Sequence, residues 1–558
     1  MTVFSPRTVS SSRLALLLIL LAAVLGMGFG LYATSAGPGV GGDATIYLTT
    51  ARNFLHGQGL GWIDADGSYR LLPYSPPFYP LVLSAVGLFT ADLTAGARWL
   101  NVILSGLTVL LLAWAFYRFT RQAWLAGLLA GLLAASPVLL GVQVWAMTEP
   151  LFLLTGFGGL LLLLTYFEHP HTRWLLLSAL LVGLAVLTRY AGLAFIGAAG
   201  LALLFLSAGS ARQRWGRAVG YGLLAILPLV IWLVIDFSIT GTVGSRSGQP
   251  ASAYWQRLVA MCPALEQIYL FWLLPDSLIA RLPGFIRTAL WVIPTLAVGG
   301  VIGLLARNGR GGLTPPSAPT LQAGRGERGA TPTARLAIVM GLFVGVYLLI
   351  LTVVQVFTYP PVTLAARMLA PVHLAVLVLL LALVHLSLCA LASNEAGDQG
   401  RLLKLAPVLV YLALFAFLGS YAARSALIAR DYYRNGIGYN SPIWRGVPLL
   451  EVVRSLPAGV KLISNETTAL MYLLDRPAYP LQEIFQDQPQ ADFDVYGTGP
   501  DESQRAFREQ GAALVLFNAT LRDDFALYGD RLDERLAALT AGLRPVYQGE
   551  DGAIYFYR

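Results

Sequence analysis

Two acids and two arginines stand in this chain where charge is costly. Asp43 closes the glycine-rich run GVGGD, just after the first long apolar stretch. Glu149 separates two apolar runs in VQVWAMTEPLFLLTGF. Arg189 and Tyr190 interrupt GLAVLTRYAGLAFI, and Arg367 precedes another apolar run in AARMLAPVHLAVL. A fixed, ionised carboxylate can take a proton as a general base, and an arginine fork matches a phosphate. Each residue also has a purely structural reading. Asp43 can cap the helix that follows it. Glu149 can complement a helix dipole, and Arg189 can snorkel to an interface. Charges set among apolar spans are nonetheless candidates for function. His56, Arg246 and Arg257 are weaker candidates, and His373 reads as a packed histidine.

The elements that must position these residues are membrane spans. Of 558 residues, 56% are hydrophobic and only 12% charged, against about 25% charged in soluble domains. That excludes a large soluble fold. Apolar runs predict about eleven spans, at 14–34, 96–117, 122–143, 150–167, 174–188, 191–209, 218–237, 285–306, 336–357, 368–391 and 404–425. The first follows a basic N-terminus like a signal peptide, but its apolar run of about 20 residues is longer than a signal core, which predicts a retained span. The formal net charge of +8 sits mostly in short loops. It is therefore read as membrane orientation and not as nucleic-acid binding. The two cysteines lie in distant segments and predict no disulfide.

Residues 76–89 form an apolar run too short to cross comfortably, and it opens with the proline-rich YSPPFYP. If it lies along the membrane, the basic loops at 117–121, 168–173, 211–217 and 307–335 all fall on the cytoplasmic side with the N-terminus. The positive-inside rule prefers that arrangement. It puts Asp43, Glu149, Arg189 and Arg367 on one outer face. Residues 308–335, rich in Gly and Pro, read as a flexible cytoplasmic loop. Residues 238–284 are expected to hold short interfacial helices. Beyond 425 the chain turns polar. Its pattern predicts an extracytoplasmic α/β domain over 426–558, with a helix at 503–510 and Ser464 or Asn465 capping another. The segment after Asp43 predicts an amphipathic interfacial helix, with Ile46, Tyr47, Thr50, Ala51, Phe54 and Leu55 on its apolar face.

No phosphate-binding loop, dinucleotide fingerprint, HExxH or CxxC pattern occurs. The ordered set GGDATIYLTTARNFLHGQGL, YSPPFYPLVLSAVGLF, MTEPLFLLTGF, GLAVLTRYAGLAFI and AARMLAPVHLAVLVLL resembles the GT-C superfamily of polytopic membrane glycosyltransferases. The likeness is greatest to bacterial relatives of protein O-mannosyltransferases and aminoarabinose transferases, and it covers 14–425. It implies a helical transmembrane catalytic domain over 1–425, in the plasma (inner) membrane. Asp43 matches the catalytic acid of the first outer loop, here without the second acid that often follows it. Glu149 stands where a second acid, usually Asp, occurs. Arg367 matches a position suited to donor phosphate, and Arg189 is placed as its helper. Tyr190, His56 and Arg246 are assigned to substrate. The resemblance implies a polyprenyl-phosphate-linked sugar as donor, a glycan, lipid or protein acceptor, and inversion at the anomeric carbon. A divalent cation, Mg or Mn, shared by Asp43 and Glu149 is a possible cofactor. A transporter or flippase of envelope precursors, or an assembly scaffold, are the alternative readings.

Overall fold

Length and apolarity decide which segments can cross. A helix rises 1.5 Å per residue, so about 20 residues span a hydrocarbon layer of about 30 Å. The computed structural model describes residues 8–72, 75–241, 247–248, 250–290, 292, 331–359, 364–393, 401–481, 511–524 and 531–556. Helix α1 (Thr8–Ala33) is followed by α2 (Gly42–Leu55), a hairpin of β1 (Gly61–Ile63) and β2 (Tyr69–Leu71), and α3 (Phe78–Gly87). Then come α4 (Leu93–Thr120), α5 (Ala123–Ala134), α6 (Pro137–Gln143), α7 (Glu149–Glu168), α8 (Thr172–Val186), α9 (Leu193–Leu206) and α10 (Ala211–Thr240). After them come α11 (Tyr254–Leu273), the single turn α12 (Asp276–Ile279), α13 (Pro332–Phe357), α14 (Ala370–Ser393) and α15 (Arg401–Asn435).

Among the described residues seven helices are long and apolar enough to cross, namely α1, α4, α7, α10, α13, α14 and α15. The pair α5–α6, bent by 53°, makes an eighth if counted as one span. The protein is thus a multi-pass membrane protein. The expected eleven spans differ from this in identifiable places. The run 122–143 is broken at Ala135–Ser136. The runs 174–188 and 191–209 form helices of 15 and 14 residues, which reach only about 21–23 Å. Most of 285–306, and 308–330 of the loop, lie outside the described residues. Segment 76–89 yields α3, a ten-residue helix packed on α2 and α4. The region 238–284 holds the 20-residue α11, longer than the short helices expected.

Local chemistry sets the helix ends. Asp92 caps α4 by accepting from the amides of Thr94 at 2.9 Å and Ala95 at 3.0 Å. Ser210 and Gln213 form a reciprocal capping box at α10, which ends on Gly241 at φ 72°. The main core lies between spans. There α7 packs on α8, and Phe157, Phe195 and Phe343 join α7, α9 and α13 in edge and stacked contacts.

The tail folds as α16 (Pro448–Ser455), β5 (Leu462–Ser464), α17 (Thr467–Leu474), β6 (Tyr479–Pro480), β7 (Ala513–Phe517), α18 (Asn518–Asp524), α19 (Arg531–Thr540), β8 (Arg544–Gly549) and β9 (Gly552–Phe556). The sheet order is β6-β5-β7-β9-β8. β5 runs parallel to β6 and β7, while β9 is antiparallel to β7 and β8. This is the α/β arrangement its pattern predicts. The helix expected at 503–510 lies outside the described residues. Neither Ser464 nor Asn465 caps α17, which starts at Thr467 after Glu466. Asn465 instead clamps β7, donating to the Phe517 carbonyl at 3.1 Å and accepting from its amide at 2.9 Å. Helix α15 also runs past 425 to Asn435, so the last span feeds the tail without a break.

The tail and the bundle share one core. Ala44, Tyr47, Leu48 and Ala51 of α2 pack in the same cluster as Trp444, Leu449, Leu470 and Phe517 of the tail. Backbone joins them as well. Gly39 bridges Trp145 and Val40 bridges Gly438, both in parallel fashion. Gly438 has φ 56°, and a Cβ there would meet the Val40 carbonyl oxygen; Gly446 has φ 72° but faces open space. Left-handed strain alone costs about 1–2 kcal/mol. Gly438→Ala should therefore lower the thermal midpoint in detergent clearly more than Gly446→Ala, and equal shifts would deny the backbone contact.

Candidate active site

The residue before α2 decides how Asp43 is presented. Helix α2 begins at Gly42, and the capping position is Gly41, with no side-chain cap. Asp43 therefore does not cap the helix, contrary to the first reading. The glycines are needed because Trp145 lies against the run. Its ring would crowd a Cβ on Gly39 and stand 3.3 Å from one on Gly41. Asp43 sits in the first turn of the helix, near the positive end of its dipole. The buried face of α2 also differs from the expected stripe. Ala44, Thr45, Tyr47, Leu48, Thr50 and Ala51 are buried while Phe54 is exposed. The cause is tertiary: α3 covers one side of α2 and α17 another. Below Asp43, Tyr47 shares a hydrogen bond of 2.8 Å with Ser75. Burial first, and the Asp43 charge second, push the Tyr47 hydroxyl well above its usual range, so it stays neutral.

Glu149 opens α7 and is fixed from behind. Asn101, fully buried in α4, donates its amide to the carbonyls of Trp145 at 2.6 Å and Met147 at 3.0 Å. Tyr79 of α3 donates in turn to Asn101 Oδ1 at 3.3 Å. The loop before Glu149 is thus held by a chain of hydrogen bonds reaching the juxtamembrane helix. Arg189 stands at the break between α8 and α9, in extended conformation just before the 3-10 turn Tyr190–Gly192. Arg367 stands on another 3-10 turn, Ala366–Leu369, whose Met368 carbonyl accepts from the Tyr347 hydroxyl of α13 at 2.6 Å.

These four side chains form a row of alternating charge. Arg189 Nη1 lies 2.9 Å from Glu149 Oε1, Arg367 Nη1 lies 4.0 Å from the same oxygen, and Arg367 Nη2 lies 3.5 Å from Asp43 Oδ2. Side-chain exposure divides the row. Glu149 is 2% exposed and Arg189 22%, whereas Arg367 and Asp43 are 46% and 57% exposed. The inner pair is the more buried, and the outer pair is open to solvent. A cavity of about 620 Å³ opens on the row, lined by Asp43, Glu149 and Arg367. Its remaining wall is mostly apolar, from Pro137, Val138 and Val142 of α6, with Trp145, Phe271 and Ile428. Neither Glu149 oxygen has a protein hydrogen bond of good geometry. A buried carboxylate in that state can accept from a hydroxyl entering the cavity.

The other expected residues fall elsewhere. Arg189 is turned to Glu149 and to Thr148 Oγ1, to which it donates at 2.8 Å, and it does not line the cavity. Tyr190 packs with Trp62, Leu229 and Trp232 in a separate cluster. His56 ends α2, about 20 Å along the helix from Asp43. Arg246 lies outside the described residues. Arg257 is half-buried on α11. His373 is buried, as a packed histidine should be, and shares a 3.0 Å hydrogen bond with Ser136. Asn101, Trp145, Thr148 and Tyr347 were missed. Only Asn101 left a signal, as a lone amide inside an apolar span. As for a cation, Asp43 and Glu149 already face guanidinium groups. Among the described residues no group of three or more His, Cys, Asp or Glu could hold a metal. A magnesium ion can be held by one or two carboxylates completed by water and substrate phosphate, but here Arg189 and Arg367 already stand beside Glu149 and Asp43, where such an ion would bind.

The fold is one that solved membrane proteins share. Residues 74–232 match the family described as dolichyl-phosphate-mannose-protein mannosyltransferase. Among solved structures, the chain is similar to ArnT from Cupriavidus metallidurans bound to undecaprenyl phosphate, at 14% identity and a TM-score of 0.54, over 96% of this chain and 97% of that one. It is also similar to the apo oligosaccharyltransferase of Archaeoglobus fulgidus, at 14% identity and a TM-score of 0.51, over 97% of this chain and 74% of that one. At such identities the likeness is one of fold. No curated protein matches the chain by sequence.

The buried pair has a testable energetic signature. Removing one partner leaves an uncompensated buried charge, at about 3–5 kcal/mol. Arg189→Met should lower the thermal midpoint strongly, and adding Glu149→Gln should restore part of the loss. Additive losses in that cycle would mean the two groups do not pair.

Proposed function

We propose that this protein is a membrane glycosyltransferase. It moves a sugar from a polyprenyl-phosphate donor to a lipid, glycan or protein acceptor on the extracytoplasmic face, inverting the anomeric centre. The observation that carries the reading is the outer pair of the charge row. Arg367 and Asp43 stand 3.5 Å apart at the rim of a largely apolar cavity. Such a cavity suits a prenyl chain, and the rim suits its phosphate. The fold shared with a protein that binds undecaprenyl phosphate supports it.

In this reading Arg367 forks onto the donor phosphate. The acceptor oxygen (or nitrogen) attacks the anomeric carbon and gives its proton to Asp43. The bond between that carbon and the phosphate oxygen breaks, and the lipid phosphate leaves with the electron pair. Arg367 stabilises the charge developing there. Glu149, anchored by Arg189, accepts a hydrogen bond from a sugar or acceptor hydroxyl. Arg189 thus serves through Glu149 and not as a phosphate ligand. No step runs through a metal, because a guanidinium supplies the positive charge.

The test is purified protein in detergent with labelled polyprenyl-phosphate sugars. Wild type should release lipid phosphate and form a glycosylated acceptor, and it should keep doing so in a chelator. Asp43→Asn should fold normally and lose transfer by about 10²–10⁴-fold, the usual share of a general base. Movement of the lipid sugar across vesicles with no transfer would favour a transporter instead. Full activity in Asp43→Asn would remove Asp43 from the chemistry.

A further inference from the structure

The run that delivers Asp43 is held from two sides, and one side belongs to the segment leading out of the last span. On the bundle side, the Gly39 amide donates to Val144 O at 2.7 Å, and the Ala146 amide donates to Gly39 O at 2.9 Å. On the tail side, the Tyr439 amide donates to Val40 O at 2.9 Å. Asn440 then closes the junction. Its Nδ2 donates to Pro38 O at 2.7 Å, while its Oδ1 accepts from Arg445 Nη2 at 3.0 Å and from the Tyr472 hydroxyl at 3.4 Å. Arg445 also donates to the Ala36 carbonyl. Asn440 is buried, so its amide is oriented by protein partners and not by water.

Proline at position 38 has no amide to donate, so its carbonyl is its only polar backbone handle. Asn440 takes that handle. The amide therefore ties three pieces together: the run before Asp43, the loop after α15, and helix α17. We infer that Asn440 is a positioning residue, which sets the place of Asp43 through the Pro38–Val40 backbone, and that the C-terminal domain is part of the frame of the active centre. This rests on the proposed role of Asp43. A reaction of positioned groups is sensitive to displacements near 1 Å, which can cost about 100-fold in rate.

The experiment compares Asn440→Ala, Asn440→Asp and Tyr472→Phe in the full-length protein, with initial rates over a range of donor concentrations. Asn440→Asp keeps an acceptor for Arg445 and Tyr472 but cannot donate to Pro38. Both Asn440 variants should lose kcat by about 10- to 100-fold and keep the KM for donor, whose phosphate is held by Arg367. Tyr472→Phe removes two long bonds, of 3.4 Å to Asn440 Oδ1 and 3.5 Å to Thr94 Oγ1, and leaves the Asn440–Pro38 bond in place, so it should lower kcat less than either Asn440 variant and keep the KM. Wild-type kcat in Asn440→Asp overturns the inference. So does a fall in kcat accompanied by an equal rise in KM and a lower thermal midpoint, which marks general loosening. If wild-type protein itself transfers no sugar, the glycosyltransferase reading fails instead, and the two failures are told apart.

Discussion

The structure depends on a short backbone seam. Gly39 and Val40 lie between the 144–146 segment and the 438–439 segment, hydrogen-bonded to both. Neither Gly438 nor Gly39 admits a side chain there, the first because the Val40 backbone lies against it and the second because the Trp145 ring and Ile437 do. The seam fixes both acids at once. Asp43 follows Gly39, and Glu149 follows Trp145, by the same four positions after the bridge that pairs them. Neither acid needs its own scaffold, since a shift of one strand of the seam would carry its acid with it. Pairing by backbone also tolerates sequence change, because main-chain groups are always present.

The charge row explains how four ionised groups coexist at a membrane edge. Charges taken out of water are stabilised only when they are paired. The buried end, Arg189 and Glu149, is the closest pair at 2.9 Å. The exposed end, Arg367 and Asp43, is looser at 3.5 Å, and water screens it. In the proposed reaction the looser pair opens to admit a phosphate, whose charge would replace that of Asp43 on Arg367. The tight pair keeps its geometry while this happens. Placement of Arg367 on a 3-10 turn pinned by Tyr347, and not inside a long helix, leaves its side chain projecting over the cavity.

Much of this was legible in the sequence, and the rest was hidden for physical reasons. Long apolar runs gave α1, α4, α7, α10, α13, α14 and α15, because the need to cover a hydrocarbon layer is a one-dimensional signal. Alternating patterns gave the α/β character of the tail. Charges stranded among apolar residues pointed to Asp43, Glu149, Arg189 and Arg367, which the fold brings into one row. What failed needed tertiary knowledge. Trp145 against the glycine run moves the start of α2, so Asp43 lies inside the first turn. Docking of the tail rotates the buried face of α2, which periodicity had assigned as though one side met lipid. Tyr190 was named for its neighbour Arg189, yet adjacent residues diverge at a 3-10 turn. Asn101 and Asn440 act on carbonyls far away in sequence, and no local pattern announces such partners.

The bend in α5–α6 accounts for the cavity itself. A straight helix over 123–143 would send residues 137–142 along the course of α5, whereas the 53° turn sets Pro137, Val138 and Val142 in the cavity wall. Breaking a helix at membrane depth frees backbone groups that must find partners. Here they do. The Ala135 carbonyl accepts from Ser425 Oγ at 2.7 Å, and Ser136 Oγ accepts from the Leu139 amide at 3.3 Å while meeting His373. Pro137 at the first position of α6 has no amide to satisfy. The polar residues buried under the cavity thus serve the bend, and the bend serves the space beside Asp43. Charge row, seam and bend are three solutions to one constraint: polar groups placed at the edge of an apolar solvent need answering by another part of the chain, and for the Glu149 carboxylate that answer is the charge of Arg189 and Arg367.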